Sequence, residues 1–246
     1  MMETVARSEY SFCRAGELGK RIELFQAKFR VAFIVSVLMP VLCSASLDSL
    51  AQLKKLLDRL QKHYQQTTSF SAKFHEEIAP AGGTKREREG MVYYRKPGRM
   101  RWEFEGDDKE TIVSDGRLLY SYQPDLNQVI ETPLEQAFKS SSAAAFLLGI
   151  GNVQRDFDAS VPKTPPADGL RHVVLVPKSG GDTIEMGLDP TTLDLRTLLL
   201  TDALGDMTEL MFSDLKNGAS IDDKTFAFVA PAGADIVKAP QQPNSP

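Results

Sequence analysis

The chain has 246 residues, of which 42% are hydrophobic and 25% charged, and its formal net charge is −4. The length allows one large domain or two small ones, and these fractions are typical of a soluble globular protein with a sizeable core. The negative balance argues against a general nucleic-acid-binding protein, because such a protein needs a basic surface to neutralise phosphates.

The N-terminal residues follow the order of a secretory signal peptide. Basic residues ending at Arg30 precede an apolar run from Val31 to Cys43, and small residues follow it. This run is too short to cross a bilayer as a helix. We therefore predict that residues 1–45 form a leader that is cleaved after Ala45, with an unusually long stretch ahead of the signal itself.

Both cysteines, Cys13 and Cys43, lie within this leader. Cleavage would leave a mature chain without disulfides, cysteine nucleophiles or cysteine-bound metals. An alternative is that Cys43 becomes lipidated, which would anchor the protein in a membrane. The residues before it, Pro40-Val41-Leu42, are a poor match to the small residues that usually precede a lipidated cysteine.

A run of antiparallel strands is predicted between Met91 and Tyr122. Within it, Met100, Trp102 and Phe104 alternate with charged residues, which is typical of a strand with one buried face and one face in solvent. Later residues alternate in the same way. The apolar face of this sheet is predicted to carry Met100, Trp102, Phe104, Leu118, Tyr120 and Tyr122.

Helices are predicted at two places. After Ser46, leucines recur at spacings of three and four up to Tyr64, which predicts a helix that packs on the sheet through a leucine stripe. A second helix is predicted from Pro133 to Gly149, and its second half, Ala143 to Leu148, is apolar on most sides. Such a helix is either buried between two layers or covers a surface that is sometimes open.

The remaining residues predict further antiparallel strands, the last of them at Phe226–Val229. With these, about ten or eleven strands form a mainly β fold, a single antiparallel sheet curled on itself with helices over one opening. We predict one folded domain over residues 46–237. Residues 238–246, rich in proline, glutamine and asparagine, are predicted to be a disordered tail.

Motifs of catalytic and metal sites are absent from the sequence. It contains no Gly-x-Ser-x-Gly, no glycine-rich phosphate loop before a helix and no His-Glu-x-x-His. The three histidines, His63, His75 and His172, lie in different predicted elements without the spacing of metal ligands. We therefore predict neither an enzyme nor a bound cofactor or metal.

Three blocks of sequence together resemble one known family. The first is Lys96-Pro97-Gly98 with Trp102, the second is Val113-Ser114-Asp115-Gly116, and the third is the C-terminal series from Phe226 to Gly233. In this order, after a signal peptide and an amphipathic helix, they resemble the outer-membrane lipoprotein carrier family, LolA. The resemblance covers nearly all of residues 46–237.

This resemblance implies an unclosed β-barrel whose helices form a lid over an apolar cavity. It implies a periplasmic monomer that accepts acylated lipoproteins from an inner-membrane ABC exporter and carries them to an acceptor at the outer membrane, without a cofactor. It also implies that apolar side chains of the sheet and of the mid-chain helix bind the acyl chains. These are Phe70, Phe74, Met100, Trp102, Leu118, Tyr120, Phe146 and Leu147.

The resemblance further implies a latch on the lid. In the family, an arginine before the proline is thought to hydrogen-bond to the lid backbone; here that position is Lys96, with Arg95 beside it. Lysine lacks the planar fork of arginine, so the latch is either looser or has moved to Arg95. Neighbours on a strand point to opposite faces, so only one of the two can face the lid.

Three alternatives stay open from the sequence alone. Trp102 can belong to a closed core rather than to a cavity, because core and cavity-lining residues look alike in sequence. The same fold can serve a membrane-anchored acceptor lipidated at Cys43. It can also serve a sensor or carrier domain that binds another amphiphile and transports no lipoprotein.

Overall fold

The chain divides into two units, residues 1–52 and 53–246. Of the first unit the structure describes residues 49–52, which are helical, and the sheet lies in the second unit. None of the helices in the described part of the chain is both long and apolar enough to span a membrane. The structure, a computed structural model, describes residues 49–107, 109–139 and 152–239.

The described residues form three α-helices, two 3₁₀ turns and twelve strands. Helix α1 covers residues 49–66, α2 Leu134–Lys139 and α3 Val153–Asp156. The 3₁₀ turns are Pro124–Leu126 and Asp223–Phe226. The strands are β1 (Ser69–Ala79), β2 (Arg86–Arg95), β3 (Arg99–Phe104), β4 (Thr111–Asp115), β5 (Leu118–Gln123), β6 (Gln128–Pro133), β7 (Phe157–Ser160), β8 (Arg171–Pro177), β9 (Thr183–Leu188), β10 (Leu195–Thr201), β11 (Met207–Asn217) and β12 (Asp235–Lys238).

All twelve of these strands belong to one sheet. Neighbouring strands pair antiparallel, except that β12 runs parallel to β6. The order across the sheet is β12-β6-β5-β4-β3-β2-β1-β11-β10-β9-β8-β7, so β12 and β7 are its edges and it does not close into a barrel. The predicted single, curled, mainly antiparallel sheet is confirmed, with twelve strands rather than about ten or eleven.

Helix α1 packs on one half of the sheet through the predicted leucine stripe. Leu60 is fully buried and Leu57 is 7% exposed. Both belong to the same apolar cluster as Val173, Met186 and Leu198, which lie on β8, β9 and β10. Burying a side chain of this size contributes about 1.5–3 kcal/mol relative to leaving it in water, so the stripe holds the helix on this half of the sheet.

The predicted strand at Phe226–Val229 is wrong. The carboxylate of Asp222 accepts a hydrogen bond from the backbone N–H of Lys224 at 2.9 Å, which begins the 3₁₀ turn Asp223–Phe226. The ring of Phe226 is then 2% exposed, and the turn contacts β3 and β4. The alternating apolar residues therefore reflect side-chain burial against the sheet and not pairing with another strand.

The sequence does not predict β12, whose four residues are all exposed and show no alternation. The strand forms where the chain returns beside β6, and the backbone N–H of Asp235 donates to the carbonyl of Asn127 at 2.9 Å. Lys238, where the predicted tail begins, is the last residue of β12. Residues 240–246 lie outside the described residues.

The predicted helix from Pro133 to Gly149 falls only partly within the described residues. Pro133 is the last residue of β6, and α2 begins at the next residue, Leu134. Residues 140–151, which include Phe146 and Leu147, lie outside the described residues. The predicted apolar second half of this helix therefore stays a prediction.

Candidate functional site: an apolar cavity on the inner face

We call the face of the sheet that carries Trp102 the inner face and the opposite one the outer face. Directly paired residues on neighbouring strands point to the same face, so the register arranges the inner-face side chains in rows. Successive rows lie two residues, about 6.7 Å, apart along the strands. Row 1 contains Phe70, Tyr94, Met100 and Leu119; row 2 Val92, Trp102 and Ile112; row 3 Phe212, Phe74 and Phe104; and row 4 Leu210, Glu76 and Arg88.

A cavity of about 380 Å³ lies over these four rows. Every member of the rows lines it except Phe74. Its volume falls within the range of about 300–1,000 Å³ that is usual for small-molecule sites, and its lining is predominantly apolar, as in such sites. The end of the cavity near α1 is lined by His63, Tyr64, Thr67, Asp194 and Asn217.

Rows 1 and 2 keep large apolar side chains accessible to solvent. Phe70, Met100, Trp102, Ile112 and Leu119 are each only partly buried. In a closed core, side chains of this kind are usually fully buried. Their grouped exposure on one concave face is typical of a site that receives an apolar ligand.

Row 3 forms an aromatic base for the cavity. The Phe74 ring centre lies 4.8 Å from that of Trp102 and 5.0 Å from that of Phe104, and both pairs meet edge to face. Gly90 stands between these rings on β2, where a Cβ would overlap the carbonyl oxygen of Glu103 and contact the Phe74 ring. A glycine is therefore required for the close approach of β2 to the backbone of β3 beside these rings.

A charged network joins Glu76 and Arg88 of row 4 to Glu110, which directly precedes β4, and we define the network as these three residues. The Nε of Arg88 donates to Glu76 at 2.7 Å, and its Nη1 donates to Glu110 at 3.1 Å. The hydroxyl of Ser121 donates to the second carboxylate oxygen of Glu110 at 2.7 Å. The guanidinium carbon of Arg88 lies 4.0 Å from the centre of the Phe104 ring, a cation–π contact. One end of an apolar cavity is thus closed by paired charges.

The opposite end of the cavity combines polar groups with two buried phenols. The Nε2 of His63 lies 3.2 Å from Asp194, and the amide of Asn217 donates to Asp194 at 2.7 Å. Burial raises the pKa of Tyr64 well above its usual range, and the charge of Asp194 adds to this. Burial also raises the pKa of Tyr94. Among the residues that the structure describes, no three His, Cys, Asp or Glu side chains gather as metal ligands.

Lys96 contacts the end of α1. Its Nζ donates to the backbone carbonyls of Tyr64 at 2.6 Å and Gln65 at 3.0 Å. The last carbonyls of a helix lack partners within the helix, and a cation is favourable near them because of the helix dipole. Burial lowers the pKa of the Lys96 ammonium. Lys96 therefore ties the C-terminal turn of α1 to the chain that leaves β2.

Arg95 points the other way. Its Nη1 donates to the carbonyl of Ile221 at 2.8 Å, its Nη2 contacts the carboxylate of Asp223, and its guanidinium carbon lies 5.1 Å from the centre of the Phe226 ring. These partners lie on the outer face in residues 221–228, which we call the C-terminal segment. The two candidate latch residues thus contact different parts of the molecule, as their adjacent positions require.

The structure brings together some of the predicted acyl-binding residues and separates others. Phe70, Met100 and Trp102 line the cavity, whereas Phe74 is 2% exposed and belongs to the aromatic base. The other four predicted residues do not join them. Leu118 and Tyr120 lie on the outer face, and Phe146 and Leu147 lie outside the described residues.

The strand register corrects the predicted orientation of β5. Tyr120 pairs with Val113 on β4, and both side chains point to the outer face. The neighbouring Leu119 points to the inner face and lines the cavity. The ring of Tyr120 stacks on Phe228 of the C-terminal segment, with ring centres 5.0 Å apart. Both faces of β5 therefore carry large apolar residues, and alternation alone cannot show which face meets the cavity.

Sequence reasoning also missed several residues of the site. Val92 and Tyr94 alternate on β2 opposite Trp102 and Met100, so pairing the two strands across the Lys96-Pro97-Gly98 turn would have found them. The sequence gives no comparable prediction of the charged network, because a charged residue at a position expected to be apolar does not reveal its partners.

The sequence profile described as "Outer membrane lipoprotein carrier protein LolA" matches residues 65–229, more than half of the chain. The chain belongs to this family. An outer-membrane lipoprotein carrier protein of Methylobacillus flagellatus is 33% identical over 185 residues, which cover 74% of this chain and 88% of the relative. A protein of the same name from Dechloromonas aromatica is 30% identical over 206 residues, which cover 83% of this chain and 97% of the relative.

Solved structures resemble this LolA-family chain more distantly. That of a LolA superfamily protein from Nitrosomonas europaea has 14% sequence identity and a TM-score of 0.42, and the match covers 72% of this chain and 97% of that one. A likeness at this level does not transfer a function.

Proposed function

We propose that the protein carries lipoproteins by binding their acyl chains in the cavity, without catalysis and without a cofactor. The observation that carries the proposal is the accessible apolar surface of rows 1 and 2, which includes Met100 and Trp102. Membership of a family described as outer membrane lipoprotein carriers supports the class of cargo.

Acyl chains need such a site because they are excluded from water. Exposure costs about 0.8 kcal/mol for each CH₂ group, so a chain of about sixteen carbons costs on the order of 12 kcal/mol. A carrier must offset most of this cost without exceeding it, since the chain has to leave again for a membrane. The lining of rows 1 and 2 is only partly buried, so binding removes apolar surface of both the cavity and the acyl chain from water. This shared burial offsets the cost of keeping the chain out of a membrane.

Release is proposed to depend on the end of α1. Lys96 holds the last turn of this helix through two backbone carbonyls, one of which belongs to Tyr64, a residue that lines the cavity. A lysine holds these oxygens through a single ammonium rather than through the planar fork of an arginine, which supports a latch that opens readily. Arg95 is engaged by the C-terminal segment and is not part of the proposed latch.

We further propose that the protein acts in the periplasm. The signal-like order around residues 28–46 and the names of the relatives support export of a monomeric domain that spans residues 46–237. There it would take lipoproteins from an inner-membrane ABC exporter and pass them to an acceptor at the outer membrane.

The test is native mass spectrometry of the protein recovered from the soluble periplasmic fraction. We expect a chain that starts near Ser46, partly in one-to-one complexes with acylated lipoproteins. Protein found instead in the membrane fraction with lipid on Cys43 would favour an anchored acceptor. A periplasmic chain that carries nothing, even after incubation with lipoprotein-loaded membranes, would contradict the carrier and favour a sensor domain.

A further inference from the structure

We propose that the charged network of Glu76, Arg88 and Glu110 ends the acyl-chain site and sets the longest chain that the cavity accommodates. The inference rests on the proposed function, because it specifies which acyl chains fit the same cavity. It assigns a role in cargo specificity to three charged residues at one end of a predominantly apolar cavity.

Along β3 the apolar side chains become less exposed toward the network. Met100 in row 1 and Trp102 in row 2 are partly exposed, whereas Phe104 in row 3 and Glu76 in row 4 are each 8% exposed. A chain that binds the inner face therefore makes its contacts in rows 1 and 2 and extends toward rows 3 and 4. There it meets first the aromatic base and then the charges.

Arg88 is held so that it cannot move out of the way easily. Its guanidinium donates to Glu76 on one side and to Glu110 on another, and its central carbon lies over the Phe104 ring. The side chains of this pairing are only 11% to 20% exposed. An incoming methylene group offers no hydrogen bond, so separating these poorly hydrated charges to make room for it is strongly unfavourable.

The length of the cavity fits one acyl chain. Glu76 lies six residues after Phe70 on β1, so rows 1 to 4 span about 20 Å at the usual rise of a strand. The hydrocarbon core of a bilayer is about 30 Å thick, so a membrane acyl chain reaches about 15 Å. A chain of this length therefore fills rows 1 to 3 and ends near row 4.

The opposite end of the cavity suits the polar end of the ligand. His63, Asp194 and Asn217 lie there, at the end of α1. Their mixed hydrogen-bonding groups are compatible with the ester or amide that follows an acyl chain. This polarity orients the ligand, with its tail toward Arg88.

The experiment measures affinity against chain length. Short synthetic peptides carry saturated N-acyl chains that grow in two-carbon steps from about ten to about twenty carbons, and each displaces a fluorescent fatty acid from the full-length protein. Affinity should rise about fourfold for each CH₂ group (about 0.8 kcal/mol) and then stop rising at a limiting length.

A charge-free variant tests what sets that limit. The triple variant Glu76→Gln, Arg88→Met, Glu110→Gln removes the network without leaving an unpaired charge, and the limiting length should move to longer chains by at least one two-carbon step. The matched control is Arg101→Met with Glu103→Gln, which removes an ion pair with a 2.6 Å contact from β3. This pair lies on the outer face, so the limit should stay unchanged.

A second variant keeps the test decisive if the triple variant does not fold. Leu210→Phe enlarges a row 4 side chain beside Glu76 without altering any charge, and the limit should move to shorter chains. Affinity that rises without a limit in the wild type, or a limit that neither variant moves, would overturn the role of the network while leaving the carrier intact. Failure of every acylated peptide to displace the probe would instead overturn the proposed function.

Discussion

The inner face of this sheet has two halves that follow the same alternation but differ in burial. On β8, β9 and β10, Val173, Met186 and Leu198 are at most 1% exposed and lie in one cluster with Leu60 of α1. On β3, Met100 and the larger Trp102 stay partly exposed over a cavity. The cluster also includes Val92 and Phe104 below the cavity, so the halves differ in their outermost side chains: Trp102 only packs against this cluster and keeps part of its surface exposed.

This contrast separates the direction in which a side chain points from the degree to which it is buried, which alternation in a sequence does not distinguish. Alternation decides which side chains share a face, whereas a second element decides whether that face becomes core or binding surface. The closed half uses its apolar area for stability, and the open half keeps that area for a ligand. Each prediction below tests this division with matched residues from the two halves or the two faces.

The largest expected effect is on stability. Met186→Ala should lower the free energy of unfolding by about 2–5 kcal/mol, because it leaves a cavity among fully buried neighbours. Met100→Ala removes the same atoms from a partly exposed site and should cost less than about 1 kcal/mol. Urea unfolding of both variants measures the difference. Equal losses would mean that row 1 is packed as a core, against the proposed site.

The second prediction concerns binding, with two methionines on opposite faces. Met100→Glu introduces a charge into the cavity and should weaken acyl-peptide binding at least tenfold, since the carboxylate has to be desolvated on binding. Met91→Glu on β2 points to the outer face between Lys73 and Glu103 and should leave binding unchanged. Displacement of a fluorescent fatty acid measures both. A similar loss in the two variants would show that the effect does not come from the cavity.

The third prediction tests the proposed latch at the boundary between the halves. Lys96→Leu removes two hydrogen bonds to the end of α1, so a bound acyl peptide should dissociate several-fold faster while association changes little. Stopped-flow fluorescence measures both rates. The control is Lys73→Leu on β1, which breaks an exposed ion pair with Asp214 of β11. Equal changes in both rates for Lys96→Leu would argue against a latch at this position.

The same division explains how far the sequence predicts the site. The sequence predicts the shared face of Met100, Trp102 and Phe104 correctly because charged residues alternate with them on β3. It does not predict the orientation of Leu118 and Tyr120, because β5 is apolar on both faces where the C-terminal segment covers its outer side. Orientation is predictable only where the two faces of a strand differ in polarity.

The charged network lies beyond sequence reasoning for a related reason. Phe70, Ala72 and Phe74 predict the inner face of β1, and Glu76 continues on that face at the same spacing. Ile78 resumes the apolar alternation after it, so in the sequence Glu76 is an isolated charge on the predicted apolar face. Only the pairing with Arg88 on β2 makes a buried carboxylate acceptable there, and that pairing is set by the strand register.

The last expected effect is a pH dependence at the boundary between the halves, where Tyr64 of α1 and Tyr94 of row 1 both line the cavity. Burial raises the pKa of Tyr64 and of Tyr94 above the value of about 10 that holds in an unfolded chain. Above pH 10 the unfolded state therefore loses protons that the folded state keeps. The stability that these phenols contribute is fully present below pH 10 and falls as the pH rises further, by up to about 1.4 kcal/mol per pH unit for each.

Tyr94→Phe should accordingly reduce the slope of unfolding free energy against pH in this range, as measured by urea unfolding at a series of alkaline pH values. Tyr64→Phe should reduce it by a similar amount, since burial is the main cause of both shifts. If only Tyr64→Phe changes the slope, then the phenol of Tyr94 in row 1 is hydrated in the folded protein. The boundary between core and cavity would then lie closer to α1, and the apolar surface offered to an acyl chain would include Tyr94.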